Sequence, residues 1–223
     1  MKNFITAFYF LIYSLSINSQ QIPNEFVYLN EIDKTIKVDL RYFGNNNFIG
    51  KKIDGYEKNC LILTKPTAQA LKEVQKDLLS KGLSLKVYDG YRPQQAVNHF
   101  VTWAKVLSDT LMKSKYYPNI PKSKLFELGY IASKSGHTRG STVDLTIVDL
   151  KTNKELDMGS PFDFFGKQSH PFYQKINNTQ KANRILLREV MLLHGFTPYD
   201  KEWWHFTLKN EPFPKKYFNF SIK

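Results

Sequence analysis

Cysteine is almost missing from this chain. Cys60 is its single cysteine in 223 residues, so no internal disulfide can form and the fold must be held by packing and any bound metal. Long apolar runs are also scarce. The one near the start, Phe4 to Ile17, is broken by Thr6, Ser14 and Ser16 and spans fourteen residues. As a helix it would reach roughly 21 Å, short of the roughly 30 Å hydrocarbon core of a bilayer. Lys2 precedes it and Ser16, Asn18 and Ser19 follow, which is the pattern of a cleaved export signal over residues 1–20 rather than of a retained anchor. No cysteine directly follows the apolar stretch, so a lipid-anchored lipoprotein is not expected. Acidic residues are outnumbered, 20 against 32 Lys and Arg, for a net charge of +12. The basic residues are scattered, and no nucleic-acid-binding motif accompanies them, so a solvated basic surface is expected and no nucleic-acid partner. Repeats, low-complexity segments and long linkers are absent, and residues 21–223 are expected to form one domain with a sizeable core.

What is present is a mixture of periodicities. Thr67 to Lys81 carries Ala70, Leu71, Val74 and Leu78 at helical spacing and stops at Gly82. Leu83 to Tyr88 alternates as a strand. Pro93 opens a second helix through Ala96, Phe100, Val101, Ala104 and Leu107. Val143 to Val148 alternates again, Gln180 to His194 forms a third helix closed by Gly195, and Trp203 to Leu208 is a final strand. Strands and helices in no strict alternation predict an α+β fold, with a small, largely antiparallel sheet flanked by helices and no transmembrane segment in the mature chain.

Two segments far apart in sequence carry the chemistry. Ser135-Gly136-His137-Thr138-Arg139-Gly140-Ser141-Thr142-Val143-Asp144 and Glu202-Trp203-Trp204-His205 together offer two imidazoles, a ligand carboxylate and a second carboxylate beside them. A catalytic zinc takes three nitrogen or oxygen ligands, leaves a position for water and works with a nearby base. His137 and Asp144 are seven apart, a spacing that sends side chains to opposite faces of one strand. Gly136 and Gly140 place His137 on a turn instead, with Asp144 on the strand that follows. Asp144 between Val143 and Leu145 must then be paired, hydrogen-bonded or on a metal; a turn-capping role is the alternative. Glu202, if it belongs to the loop from Pro198, can face the attacking water while His205 binds metal. Trp203 or Trp204 would wall the pocket, with core packing the alternative for at least one ring. Asp89-Gly90-Tyr91-Arg92-Pro93 ends in a guanidinium suited to an oxyanion, or to a surface ion pair. His99, His170 and His194 have no ligand-type neighbours at useful spacing and look structural.

These segments, together with Met158-Gly159-Ser160-Pro161-Phe162-Asp163, Asp39-Leu40-Arg41-Tyr42 and Asn47-Phe48-Ile49-Gly50, resemble the zinc D-alanyl-D-alanine dipeptidases over residues 25–208. The resemblance implies a fold shared with D,D-carboxypeptidases and the hedgehog signalling domain, and one zinc per chain. By position it makes His137, Asp144 and His205 the ligands, Glu202 the general base and acid, and Arg92 the stabiliser of the tetrahedral intermediate. It further implies that Ser135 and Asp157 contact the ends of a small D,D-dipeptide. Gly136 before the ligand histidine departs from the family pattern, as does the export signal, which sets the expected location in the bacterial periplasm. A D,D-carboxypeptidase or endopeptidase on intact peptidoglycan stem peptides is the closest alternative. A non-catalytic zinc or wall-binding domain needs neither Glu202 nor Arg92.

Overall fold

The alternating and helical stripes become the inner faces of a five-stranded sheet and the helices around it. The computed structural model describes residues 22–223, so the expected export segment lies outside the described residues. In chain order the elements are β1 (Phe26–Tyr28), α1 (Leu29–Ile32), β2 (Lys37–Val38), β3 (Ile62–Thr64), α2 (Lys65–Leu79), β4 (Leu83–Asp89), α3 (Gln94–Lys105), α4 (Lys113–Tyr116), β5 (Thr142–Asp149), α5 (Asn178–Leu193), β6 (Phe196–Tyr199) and β7 (Glu202–Leu208). The main sheet has the order β2-β4-β5-β7-β6, and β1 pairs with β3 apart from it. Only β2 with β4 is parallel. The α+β fold with a largely antiparallel sheet is therefore as expected. Among the described residues no helix is long and apolar enough to cross a membrane.

Helix ends differ from the sequence expectation where capping decides them. α2 begins at Lys65 rather than Thr67, because Pro66 suits a first turn whose amides have no helical partner, and it ends at Leu79 rather than Lys81. Its buried side is Ala68, Leu71, Val74 and Leu78. α3 begins after Pro93, which stands at the N-cap, and ends at Lys105. Leu107 thus falls outside the helix and is 56% exposed. No side chain of the helix itself caps α3. Instead the C-terminal segment does: Gln94 N–H donates to the Phe218 carbonyl at 3.1 Å and Gln95 N–H to Asn219 Oδ1 at 2.7 Å. α5 opens with a reciprocal capping box between Asn177 and Gln180.

β5 lies between β4 and β7 and is buried from Thr142 to Val148. The last residues pack against β1 and the loop after β4, where Phe220 stacks on Tyr91 at 4.1 Å and Phe218 meets Phe26 edge-on. Phe218 also joins two loops that matter below. Its N–H donates to the Thr138 carbonyl and its carbonyl accepts from Gln94.

Candidate active site

Three neighbouring strands deliver one row of side chains. Asp144 on β5 stands directly opposite His205 on β7, so both project from the same face. On the other side Asp144 is opposite Asp89 of β4, because the register shifts between Val87 and Asp89. Without that irregularity Tyr88 would occupy the place, and Asp89 would face away. His137 comes from a single 3-10 turn, Gly136–Arg139, capped by the Ser135 hydroxyl, which accepts from His137 N–H at 3.3 Å. The turn ends at Gly140 with φ +82°, and a Cβ there would run into the Phe26 ring. Glycine is required at that position, and it is what lets His137 fold back over Asp144.

Glu202 is the first residue of β7, not part of the preceding loop as expected. A bulge does the work assigned to the loop. Pro198 of β6 pairs with Phe206, but the next residue, Tyr199, pairs with Glu202. The odd number of extra residues on β7 reverses the alternation, and Glu202 Oε2 lies 3.4 Å from His205 Nδ1.

His137 Nε2 is 3.2 Å from Asp144 Oδ2, His205 Nδ1 is 3.0 Å from Asp144 Oδ1, and the two ring nitrogens are 3.4 Å apart. One donor atom from each of the three residues lies within 4.8 Å of the others, and no second group of this kind occurs among the described residues. The donor set fits a catalytic zinc in three ways. It comprises two imidazole nitrogens and one carboxylate oxygen. Asp144 Oδ1 is buried and lacks an aligned hydrogen bond, although His205 Nδ1 is close. His137 Nδ1 is 2.8 Å from the Gly90 carbonyl, so it carries the proton and leaves Nε2 as a lone-pair donor.

Arg92 is mostly buried, its side chain only 12% exposed, and pairs inward rather than at the surface. One edge of its guanidinium grips Asp89 Oδ2 at 2.8 and 2.9 Å, and Nη2 is 3.5 Å from Asp144 Oδ2. Asp89 is fixed in turn by the Tyr56 hydroxyl at 2.7 Å. The Arg92 amide donates to the His137 carbonyl, which ties the two loops together.

Electrostatics separate the carboxyl groups. Burial alone would raise Asp144, but the imidazoles of His137 and His205 hold it well below the ordinary range. Glu202 has fewer such partners. Burial, helped by the charge of Asp144 and opposed by His205, pushes it up to about 7. A carboxylate near 7 is suited to accept and return a proton. Burial and Asp144 raise Asp163 well above the usual range, despite a 2.8 Å hydrogen bond from the Tyr42 hydroxyl.

These groups share a cavity of about 300 Å³. Ser135 lines it, and its hydroxyl oxygen accepts from the His137 amide. Asp157 does not line it. Its carboxylate is held by Gln180 and the Gly159 amide beside a second cavity, so the expected contact with a dipeptide end is withdrawn. The tryptophans do not wall the pocket either. Trp204 packs against Phe162 in the core and Trp203 borders the second cavity, while Tyr42, Phe48, Tyr130, Phe165 and Tyr199 do the walling. The carboxyl that does reach the cavity is Asp163, the last residue of the Met158–Asp163 motif, and the motif itself was the available signal. Tyr42 belongs to the N-terminal motif in the same way. His194 pairs with Asp77 at 2.7 Å and His99 with Asp54 at 3.1 Å, so both are structural.

The family profile described as D-ala-D-ala dipeptidase matches residues 23–223. The chain is similar to the D-alanyl-D-alanine dipeptidase of Enterococcus faecalis, with 45% identity over 90% of this chain and 100% of that one. It is 41% identical to the Enterococcus faecium dipeptidase, over 89% of this chain and 98% of the relative. The Streptomyces coelicolor dipeptidase is 40% identical over 90% and 100%. With a matching profile across nearly all the described residues and relatives covered end to end, the chain belongs to the D-ala-D-ala dipeptidase family of peptidases.

Proposed function

We propose that this chain is a zinc-dependent dipeptidase that hydrolyses D-alanyl-D-alanine in bacterial cell-wall peptide metabolism. The observation that carries the proposal is the meeting, in one small cavity, of three metal donors, a carboxyl near neutrality and a largely enclosed guanidinium. At about 300 Å³ the cavity is at the small end of the range for ligand sites, which favours a free dipeptide over a long stem peptide.

His137, Asp144 and His205 would hold the zinc, one ion per chain. A zinc ion held there would supply polarisation of the scissile carbonyl and would lower the pKa of the attacking water to about 7. Glu202 accepts a proton from the attacking water as its oxygen bonds to the carbonyl carbon. The same carboxyl then returns that proton to the amide nitrogen as the C–N bond breaks, releasing two D-alanines. Arg92 faces the oxygen that becomes negative, and Asp89 with Tyr56 holds the guanidinium so that little reorganisation is needed. Ser135 donates to the substrate carboxylate. Asp163, lifted by burial and Asp144, ionises once the substrate ammonium arrives and pairs with it.

Purified protein with one equivalent of zinc, offered D-Ala-D-Ala and a wall pentapeptide ending in the same pair, tests this. Hydrolysis of the dipeptide with the pentapeptide nearly untouched is expected. Comparable rates on both would favour the carboxypeptidase alternative. The apolar run after Lys2 supports export to the periplasm. Native protein should begin near Ser19 or Gln20, and N-terminal sequencing that finds Met1 in cytosolic material would refute export.

A further inference from the structure

Arg184 on α5 is a buried cation with no carboxylate partner. It is 3% exposed, and among the described residues it forms no salt bridge; its bonds go to carbonyl and hydroxyl oxygens. Burial lowers its pKa to about 10, which Asp157 partly opposes. A buried charge of this kind needs compensation, and here the donors go to the two ends of one segment. Nε donates to the Met158 carbonyl at 2.6 Å, Nη2 to the Gln168 carbonyl at 2.8 Å and Nη1 to the His170 carbonyl at 2.6 Å. Neighbouring side chains of α5 hold the same entry point. Asn183 donates to the Asp157 carbonyl and Gln180 to the Asp157 carboxylate, both at 2.8 Å.

Between those ends the chain has little regular structure, only the 3-10 turn Lys167–Ser169. It nevertheless carries Asp163 and Phe165 into the catalytic cavity, with Asp163 at φ +59°. A non-glycine residue in that conformation persists only where its surroundings impose it. Arg184 itself does not line the cavity. Its Nη2 also reaches Ser160 Oγ at 3.4 Å, and that oxygen accepts from Trp203 Nε1 at 3.0 Å, one residue from Glu202.

We propose that Arg184 is a positioning residue for the dipeptidase reaction: by gathering the Met158, Gln168 and His170 carbonyls it sets the Asp163 carboxyl where the substrate ammonium docks. This rests on the dipeptidase reading above. Steady-state kinetics on D-Ala-D-Ala, with zinc content and Tm, would be measured for wild type, Arg184→Lys, Asp163→Asn and the double variant. Arg184→Lys should raise KM about tenfold with kcat and zinc nearly unchanged, and the rise should vanish in the Asp163→Asn background. Ser160→Ala, a milder cut in the same network, should raise KM less and lose its effect in that background too. A lowered Tm with unchanged KM, or effects that multiply across the double variant, would overturn the proposal while leaving the dipeptidase reading intact. Wild type that does not cleave the dipeptide would overturn both. Arg184→Lys that fails to fold leaves Ser160→Ala to decide, and an unchanged KM there would overturn the proposal.

Discussion

Asp144 and His205 meet because two strands pair in one register, whereas Asp163 reaches the same cavity on a segment held mainly by side chains from elsewhere. In the first case the backbone ladder of β4, β5 and β7 fixes each Cβ before any side chain is considered. In the second, donors from Arg184, Asn183 and Gln180 replace the ladder. Side-chain changes in the strand row should therefore remove chemistry and leave geometry. Changes around the 158–170 segment should leave chemistry and disturb substrate placement.

The largest effects should fall in the strand row, and they separate ligand from base. His205→Ala should lose zinc and hydrolysis together. Glu202→Ala should keep zinc and lose about 10²- to 10⁴-fold in kcat, the usual contribution of a positioned base. Elemental analysis beside turnover checks both, and near-normal turnover in Glu202→Ala would remove it from the mechanism. Arg92→Ala should cost roughly 10²- to 10³-fold in kcat with a much smaller change in KM. Arg92→Lys should recover little, because an ammonium cannot grip Asp89 along one edge as the planar fork does. A loss confined to KM would mean that Arg92 only binds the substrate carboxylate.

Smaller effects should come from the other region. Asp163→Asn should raise KM by roughly ten- to a hundredfold, the worth of a charge-assisted hydrogen bond, and acetylating the dipeptide amine should mimic it. Asp157→Asn should change kcat/KM by about twofold or less, as expected for an exposed position away from the cavity. A larger effect of Asp157→Asn than of Asp163→Asn would reverse the assignment.

The same contrast explains what was legible in the sequence. His137, Asp144 and His205 could be picked out because ligand chemistry restricts residue type and Gly136 and Gly140 marked the turn that solves the spacing. Glu202 was identified, but its bulge was not, since the bulge arises from how β6 pairs and leaves no local signature. Arg92 was visible as a guanidinium after a strand; that it turns inward depends on Asp89, Tyr56 and the shifted register of β4. Asp157 was expected at a dipeptide end only through the family resemblance; it precedes the Met158–Asp163 motif that Asp163 ends, and the local sequence does not say which of the two faces the cavity. The fold brings the later one, Asp163, to the cavity, on a segment whose two ends Arg184 holds. One of the two tryptophans was expected to wall the pocket, with core packing for at least one ring, yet three-dimensional packing gives the walls to tyrosines and phenylalanines far apart in sequence. The helix interiors followed from apolar spacing, and their ends moved with Pro66, Pro93 and the Asn177 capping box.

The most direct test of the account is a zinc titration of metal-stripped protein, followed by D-Ala-D-Ala hydrolysis. Activity should be negligible without metal, rise linearly and reach its plateau at one zinc per chain. Dipeptide hydrolysis that persists undiminished under chelation, or a plateau that requires a second ion, would contradict it.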